Sequence, residues 1–568
     1  MMNHSLVRFW ACLSVLAAAS LPAMGATWNP DPALGNPQQH RHLYDIARRY
    51  CDRNFDPQAD LVGAFSHYPP NRKWHDVRES TYYVYGLMLT GDASDLARAQ
   101  AILRRVLAAQ DTRVGSPTCG AFKWYAEDAK PNDLNAAAFD GLSLADVLDL
   151  DQHHPVLAPA LRQEVEKAVR LAVEAVMRRN VDPGYTNIAM ISAALAAAGQ
   201  KMLAIPGAGA FAQAKLDAVM KLADDGDFAE YQSPTYTAVD LGGAYLARKF
   251  AFSPAFKATA QAAIDHLWKM VAASYHAPTC QLGGPYLRAY GDNMLEYAAG
   301  LKYWLYLALY GNYPLPDTDI DHDWDKAGLF ELANLAVTPR PEFKNQPAVA
   351  WRQWTAVGSG STPVRHLSQY RDGNFILGTV AFQDEWQQKR NLVAYWRNQG
   401  SGPGGFQVGM CIDESNETLP GGFPGVKLHF YCDQVKDAAL VALTASTDIP
   451  GFGGVSTLVF NRSAKGVKRQ GDGCLQIEDG SVTTYLYPVA NSPVTYQMHT
   501  DARTFRVTRP WSTADAVGPL RVLAYLVVFR PADQPAPVVS GIVLHAVAKG
   551  ITAAAKVDGK DLSVTFTN

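Results

Sequence analysis

Three stretches hold polar groups of the kinds that move protons or grip carboxylates, and each opens or precedes a run that reads as helix. In "DGDFAEYQSPTY", Tyr231 and Tyr236 stand five residues apart, with Glu230 and Gln232 beside the first and Ser233-Pro234 between them. Pro234 suits the first turn of the helix continuing through "TAVDLGGAYLARKF", so the conservative reading is a Ser-capped helix start with two half-buried tyrosines. The mixture of Glu230, Tyr231, Gln232 and Tyr236 is more polar than a plain helix junction needs, and points to proton transfer. In "GYTNIAMISAALAAAGQ", Asn187 heads an otherwise apolar helix, either as an N-cap or buried amide or as a contact to a substrate carboxylate. In "SYHAPTCQLGGPYLRAYGDNMLEY", His276, Arg288, Tyr290 and Asp292 fall around a Gly-Pro loop that enters another helix. That is either a solvated loop with one ion pair or a set of binding groups on a rigid scaffold.

Two further stretches set flat aromatic faces beside polar edges. "GAFKWYAEDAKPNDLNAAAF" supplies Trp124 and Tyr125 for stacking, with Asn132, Asp133 and Asn135 as hydrogen-bonding groups. "NRKWHDVRESTYYVYG" adds Trp74, His75, Arg78 and Tyr82. The plainer reading of most of these positions is ordinary helical core.

The elements that must position these groups divide the chain in two. From about 39 to 310 it reads as helix after helix: "LRQEVEKAVRLAVEAVMRRN" places Leu161, Val165, Val169, Ala172, Val173 and Val176 on one stripe. Similar patterns recur near 76–91, 93–110, 132–149, 186–203, 208–224, 237–250, 254–275 and 291–310, separated by short Gly, Pro, Asn or Asp connectors. About ten helices with no strand between them suggest an (α/α) toroid, an incomplete helical barrel, over a solenoid, because no fixed repeat is visible. From about Trp351, short Val-, Thr-, Tyr- and Phe-rich runs alternate with turn residues ("ILGTVAFQ", "NLVAYWRNQ", "VTTYLYPV", "VLAYLVVFR"), the pattern of an antiparallel β-sandwich. The expected organisation is a signal peptide over 1–26, a toroid domain over 27–315, a linker over 316–350 and a sandwich domain over 351–568.

The first residues, "MMNHSLVRFWACLSVLAAASLPAMGATWNP", carry Arg8, an apolar stretch and small residues up to Ala26, the form of a cleaved secretory signal. The expected destination is the periplasm or the exterior. With 51 Lys+Arg against 54 Asp+Glu there is no basic excess for nucleic acid, and no later run of about 18 apolar residues spans a membrane. Cys51, Cys119, Cys280, Cys411, Cys432 and Cys474 are scattered without metal-ligand spacing, so no metal site is expected, and an oxidising compartment would allow disulfides among them.

"YTNIAMISAALAAAG", "DGDFAEYQSPTY" and "GPYLRAY" together resemble heparinase II/III-like and chondroitin-lyase-like polysaccharide lyases, in which an Asn heads an apolar helix, a D-G-x-[FY] segment follows, and an Arg lies downstream. The resemblance implies a helical toroid plus an antiparallel β-sandwich, and cleavage of a uronic-acid polymer by β-elimination. The His of chondroitin-lyase-type sites has no counterpart after "DGDF", where Tyr231 stands. Elimination removes the proton on C5 and breaks the bond at C4, so donors must first neutralise the adjacent carboxylate; loss of one such donor costs about 10²–10³ in rate. The resemblance gives that role to Asn187, helped by Arg288 or His276. Tyr236 becomes the expected base or acid, with Tyr231 second and His276 third, and Arg288 is the cation a tyrosine base needs against an ordinary pKa of about 10. His429, in "GGFPGVKLHFYCD", is the corresponding β-domain candidate, though a strand histidine is its plainer reading.

The candidate stretches hold too few Lys and Arg for a heavily sulfated glycan, so an alginate- or glucuronan-like polymer or oligosaccharide is the expected partner. No cofactor is required, and a structural Ca²⁺ is left open, as is the oligomeric state. Two other classes compete. A glycoside hydrolase would need two carboxyls across the bond, drawn from Glu127, Asp128, Asp133 and Glu230, and no such pair stands out. A noncatalytic glycan-binding protein would keep the aromatics and tolerate loss of Tyr236.

Overall fold

The computed structural model describes residues 28–566 apart from 65–73, 231, 290–299, 310–312, 316–325, 345, 358–363, 385–387, 398–403, 412–427, 447–454, 462–465, 472, 491–493, 495, 501–503, 511–514, 518–519 and 549. The signal-peptide reading over 1–26 and three of the residues singled out above, Tyr231, Tyr290 and Asp292, lie outside these.

Eleven α-helices are found among the described residues: α1 (Pro37–Asn54), α2 (Val77–Met88), α3 (Ala93–Ala108), α4 (Ala136–His153), α5 (Pro159–Arg179), α6 (Thr186–Leu203), α7 (Ala208–Asp225), α8 (Tyr236–Lys249), α9 (Pro254–Ser274), α10 (Leu301–Ala308) and α11 (Leu329–Ala333). The stripe read on α5 is buried, Leu161 through Val176. Every residue of α6 from Thr186 to Gly199 is buried, because α4, α5, α7 and α8 cover it on all sides. α2, α4, α6, α8 and α10 are successive neighbours, and α1 touches both α10 and α2, so the series returns to its start. α3, α5, α7 and α9 pack behind them.

Two features of this half differ from the sequence reading. Short strands lie between the helices: Phe55–Asp56, Leu61–Ala64 and Trp74–Asp76 form one antiparallel sheet, and Tyr275–His276 pairs with Gln281–Leu282. Runs of two to four residues are too short to establish a period, so they escape pattern reading. The stretch read as a linker is also partly core, since Leu329, Phe330, Leu332 and Ala333 of α11 are buried against the other helices.

The β-rich half is built of antiparallel sheets in layers. One sheet runs in the order Gln497–Thr500, Thr504–Pro510, Val455–Asn461, Gly404–Cys411, Leu392–Trp396, Phe375–Val380, Arg365–Arg371, Ala350–Val357. A second runs Phe382–Asp384, Leu428–Val435, Ala438–Ser446, Leu520–Pro531, Val482–Val489, Leu475–Asp479, Gly466–Arg469. The strand Leu520–Pro531 explains the stacking. Its Leu523, Tyr525, Val527 and Phe529 enter the core shared with the first sheet, while Val522, Ala524, Leu526 and Val528 face a third sheet of Val539–Val547, Gly550–Val557 and Lys560–Phe566. A strand covered on both faces reads as a continuous apolar run, because side chains alternate between two buried sides.

The halves are stitched together beside the candidate loop. Asp227–Phe228 joins the edge of the first sheet as a parallel strand, with Asp227 opposite Ala356. Tyr286 and Arg390 exchange backbone hydrogen bonds at 2.9 and 3.0 Å. Gly378 lets the loop approach: a β-carbon there would lie 1.7 Å from the carbonyl oxygen of Gly284, a backbone atom that cannot swing away. Gly378→Ala is therefore expected to lower stability by about 1–3 kcal/mol through overpacking and to shift the loop carrying Arg288, read as a lower urea midpoint together with reduced activity. Cys51, Cys119, Cys280 and Cys432 are thiols, not disulfides; Cys51 and Cys119 are buried in the helical half and Cys432 in the β half.

Candidate functional site

The site forms where the first turns of α6 and α8 meet the segment 283–289. α6 starts without a side chain from its own cap residue, Tyr185, bonding its first turn. Glu230 supplies that function from a distance: its Oε2 accepts the backbone N–H of Asn187 at 3.0 Å and the Asn187 amide Nδ2 at 2.5 Å. A carboxylate at a helix N-terminus is favoured by the exposed N–H groups and the dipole. Asn187 is thus the second helical residue, not the N-cap. Ser233 performs the capping for α8, accepting the Tyr236 N–H at 3.0 Å and donating to the carbonyl of Arg288 at 2.6 Å.

Arg288 closes the arrangement. Its Nη1 donates to Glu230 Oε1 at 3.0 Å, its Nη2 to the Tyr236 hydroxyl at 2.7 Å and its Nε to Gln388 Oε1 at 2.9 Å, while the guanidinium carbon lies 4.0 Å from the Tyr236 ring centroid. Both partners of the ion pair are well covered, with side-chain exposures of 17% for Arg288 and 5% for Glu230. A cation on the phenol oxygen stabilises negative charge there, which is the condition for a tyrosine to take a proton. One turn along α8, the carboxyl of Asp240 is fully buried; burial first, and the charge of Glu230 second, push its pKa well above the usual carboxylate range.

Two residues of this cluster serve it differently from their sequence reading. Glu230, a candidate substrate contact, has both oxygens engaged by the protein and acts as an anchor. The Asn187 nitrogen, expected to face a carboxylate, donates to Glu230, and the atom left over is Oδ1, buried with no hydrogen-bond partner among the described residues. Gln388 was missed altogether; Ser233 was read only as a helix cap, which it is, and its bond to the Arg288 carbonyl was not foreseen.

The other candidates sort into three groups. Arg78 lies over the rings of Trp124 and Phe139 at 5.2 and 5.3 Å, and Trp74 packs on Tyr125 at 5.3 Å. His75 sits between Glu127 Oε1 at 2.6 Å and Asp56 Oδ2 at 3.3 Å. Asn135 donates to the Tyr185 hydroxyl at 3.0 Å and accepts from Arg179 at 2.7 Å, which ties this wall to the start of α6; Asn132 is exposed, and Tyr82 faces a cavity described below. Gln232 does not face the cluster: it is buried at a positive φ of 49°, against Ser274, Gly283 and Arg352.

The two histidines also lie apart. His429 stands on Leu428–Val435 with Nδ1 3.1 Å from Asp384 Oδ1 and its ring against Phe382, bonding no member of the cluster. His276 is buried, with Nδ1 2.9 Å from Thr279 Oγ1 and Nε2 2.8 Å from the Asp372 carbonyl, so it has no free nitrogen for a substrate. Burial pulls its pKa down from 6.5 to about 4. The unfolded chain therefore takes up a proton on falling below 6.5 that the folded chain refuses until about 4, and stability drops as pH falls through that window. The loss is up to about 3 kcal/mol, at about 1.4 kcal/mol per unit. Urea unfolding between these limits should show a pH slope in wild type that His276→Gln flattens.

Among the described residues there is no group of three or more His, Cys, Asp or Glu side chains disposed to hold a metal ion, and no helix long and apolar enough to cross a membrane.

Comparison with known proteins places this architecture. Residues 41–328 match the family model described as "Domain of unknown function (DUF8769)". Heparinase III is similar in structure at 11% identity, with 96% of this chain and 94% of that chain covered and a TM-score of 0.50, which shows a shared fold. Streptomyces coelicolor A3 chondroitin AC lyase, in complex with chondroitin sulphate, is similar at 11% identity over 94% of this chain and 86% of that one, with a TM-score of 0.49. Paenibacillus xanthan lyase is similar at 12% identity over 93% and 60%, with a TM-score of 0.43. No curated protein matches the sequence.

Proposed function

The chain belongs to the DUF8769 family, and we propose that it is an exported polysaccharide lyase, a helical toroid with a β-sandwich, that cleaves a uronic-acid polymer by β-elimination. The observation that carries this reading is the 2.7 Å contact of Arg288 with the Tyr236 hydroxyl, made by a guanidinium fixed on the same carboxylate that seats Asn187. The heparinase III fold supports it, and so does the wall of aromatics around Arg78.

In the proposed reaction the Tyr236 phenolate, stabilised by Arg288, removes the C5 proton of the uronate. Electrons from that C–H bond form the C4–C5 double bond, the C4–O4 bond breaks, and the tyrosine returns its proton to O4. Tyr236 ends as it began, and no cofactor enters. The uronate carboxyl must be neutral for C5 to be acidic. Asn187 Oδ1, buried with no hydrogen-bond partner among the described residues, would take a hydrogen bond from the protonated carboxyl, with Arg288 supplying positive charge close by. A non-sulfated polymer such as alginate or glucuronan fits a site in which Arg288 is already shared among Glu230, Tyr236 and Gln388.

The test is ultraviolet absorbance of the C4–C5 unsaturated product while the purified protein is incubated with alginate, glucuronan, hyaluronan, chondroitin and heparan. A rise with one of them identifies elimination and the polymer together. New reducing ends without a rise would replace this reading with hydrolysis.

A further inference from the structure

A cavity of about 120 Å³ lies within the helical domain, and none of the four residues Asn187, Glu230, Tyr236 and Arg288 lines it. Its position follows from helical spacing. Ile191 of α6 and Val239 and Gly243 of α8 face it, and these stand four residues after Asn187 and three and seven after Tyr236. Residues at such spacings share one face of a helix, so the cavity begins one turn beneath the two proposed catalytic side chains. Arg78 and Tyr82 continue its wall on α2, and Leu246 marks its depth on α8, about 10 Å from Val239 at 1.5 Å per residue.

The lining suits a sugar ring. Tyr82, Phe139 and Trp304 offer flat apolar faces, while Arg78, Ser143 and Glu331 offer polar edges. Glu331 Oε1 is buried with no hydrogen-bond partner among the described residues, and burial, with Asp146 adding to it, holds the carboxyl above its usual range. The volume is well below the roughly 300–1,000 Å³ of pockets that enclose drug-sized ligands, which favours a single ring over a threaded chain. Gly242 leaves the space open: a β-carbon there would meet only the Trp304 ring, at 3.9 Å.

We propose that this cavity receives the terminal sugar residue of the substrate, so that cleavage falls at a fixed short distance from a chain end. The proposal rests on the lyase reading, and the experiment separates the two. Gly242→Leu fills the cavity without a clash at Cβ and replaces a poor helix former with a good one, so the variant should fold; a thermal melt checks this, and Gly242→Ala is the control. Short oligouronates from alginate and glucuronan are titrated by calorimetry into wild type, Gly242→Leu and Gly242→Ala. The expected result is binding weakened at least about 10-fold in Gly242→Leu and nearly unchanged in Gly242→Ala, the scale of a steric change in an apolar pocket. Equal binding by wild type and Gly242→Leu, or no binding by wild type, overturns the proposal whether or not the protein proves to be a lyase. With the cleaved polymer, early products should be one short unsaturated species while viscosity barely falls. A ladder of product lengths from the first minutes would equally overturn end-on cleavage while leaving elimination intact. Calorimetric binding lost in Gly242→Leu, without unsaturated product from any polymer, would sustain the cavity as a sugar site and remove the lyase.

Discussion

Tyr236→Phe is expected to lower turnover by about 10²–10⁴-fold, the range removed with a general acid–base group, while the protein remains folded. The substitution deletes one oxygen. The phenyl ring keeps its place beneath the Arg288 guanidinium, 4.0 Å from its central carbon, and Arg288 keeps Glu230 and Gln388. The structural cost includes the charge-assisted hydrogen bond from Arg288, about 1.5–3 kcal/mol. Initial rates of unsaturated product and a melting curve on the same preparation separate the two effects. A rate within a few-fold of wild type would take the proton transfer away from Tyr236 and leave Tyr231 as the next residue to substitute.

Glu230→Ala should act on both axes at once. Removing the carboxylate takes the Glu230 counter-charge from the largely buried Arg288 and leaves the start of α6 without the acceptor of its Asn187 N–H. Breaking a buried pair from one side typically costs about 3–5 kcal/mol, and the 17% and 5% exposures of these side chains place the pair in that regime. Activity should fall at least about 100-fold, since the Asn187 amide and the guanidinium both lose their setting. Glu230→Gln tells whether the effect is charge or geometry. Its amide oxygen can still accept from Asn187, so it should recover much of the stability, measured by urea midpoint, and little of the rate. Full activity in Glu230→Gln would show that the ion pair is not needed for the chemistry.

Long periodic elements were legible because their burial has one cause. The α5 stripe appears as read, since a helix with one covered face must alternate at 3.6 residues, and the runs after Trp351 are strands in stacked sheets. The heads of α6 and α8 were also found as places where polar types accumulate. What each polar group does there was not legible. Glu230 and Gln232 are neighbours but one in sequence and equally polar, yet one anchors the cluster and the other is turned away by a left-handed backbone that composition does not announce. His276 resembles a catalytic histidine until its environment is known, because only the fold decides whether both ring nitrogens are taken. Gln388 carries no signal, lying a hundred residues beyond Arg288 in a segment of ordinary loop composition. Gly242 was passed over as one of two glycines in a helix, and its meaning is the room beside it.

The contact between Arg288 and Gln388 also bears on when this chain becomes active. Arg288 belongs to the part made first, but its Nε partner arrives only with the β-rich half, and the strand Asp227–Phe228 finds its neighbour only when Ala356–Val357 has been added. A chain interrupted before that point holds every group of the proposed reaction except the one that fixes the angle of the guanidinium. Under the proposed reaction, incomplete or half-docked molecules would lack the partner that orients the guanidinium, and the appearance of activity during refolding would time the closure of the joint between the halves.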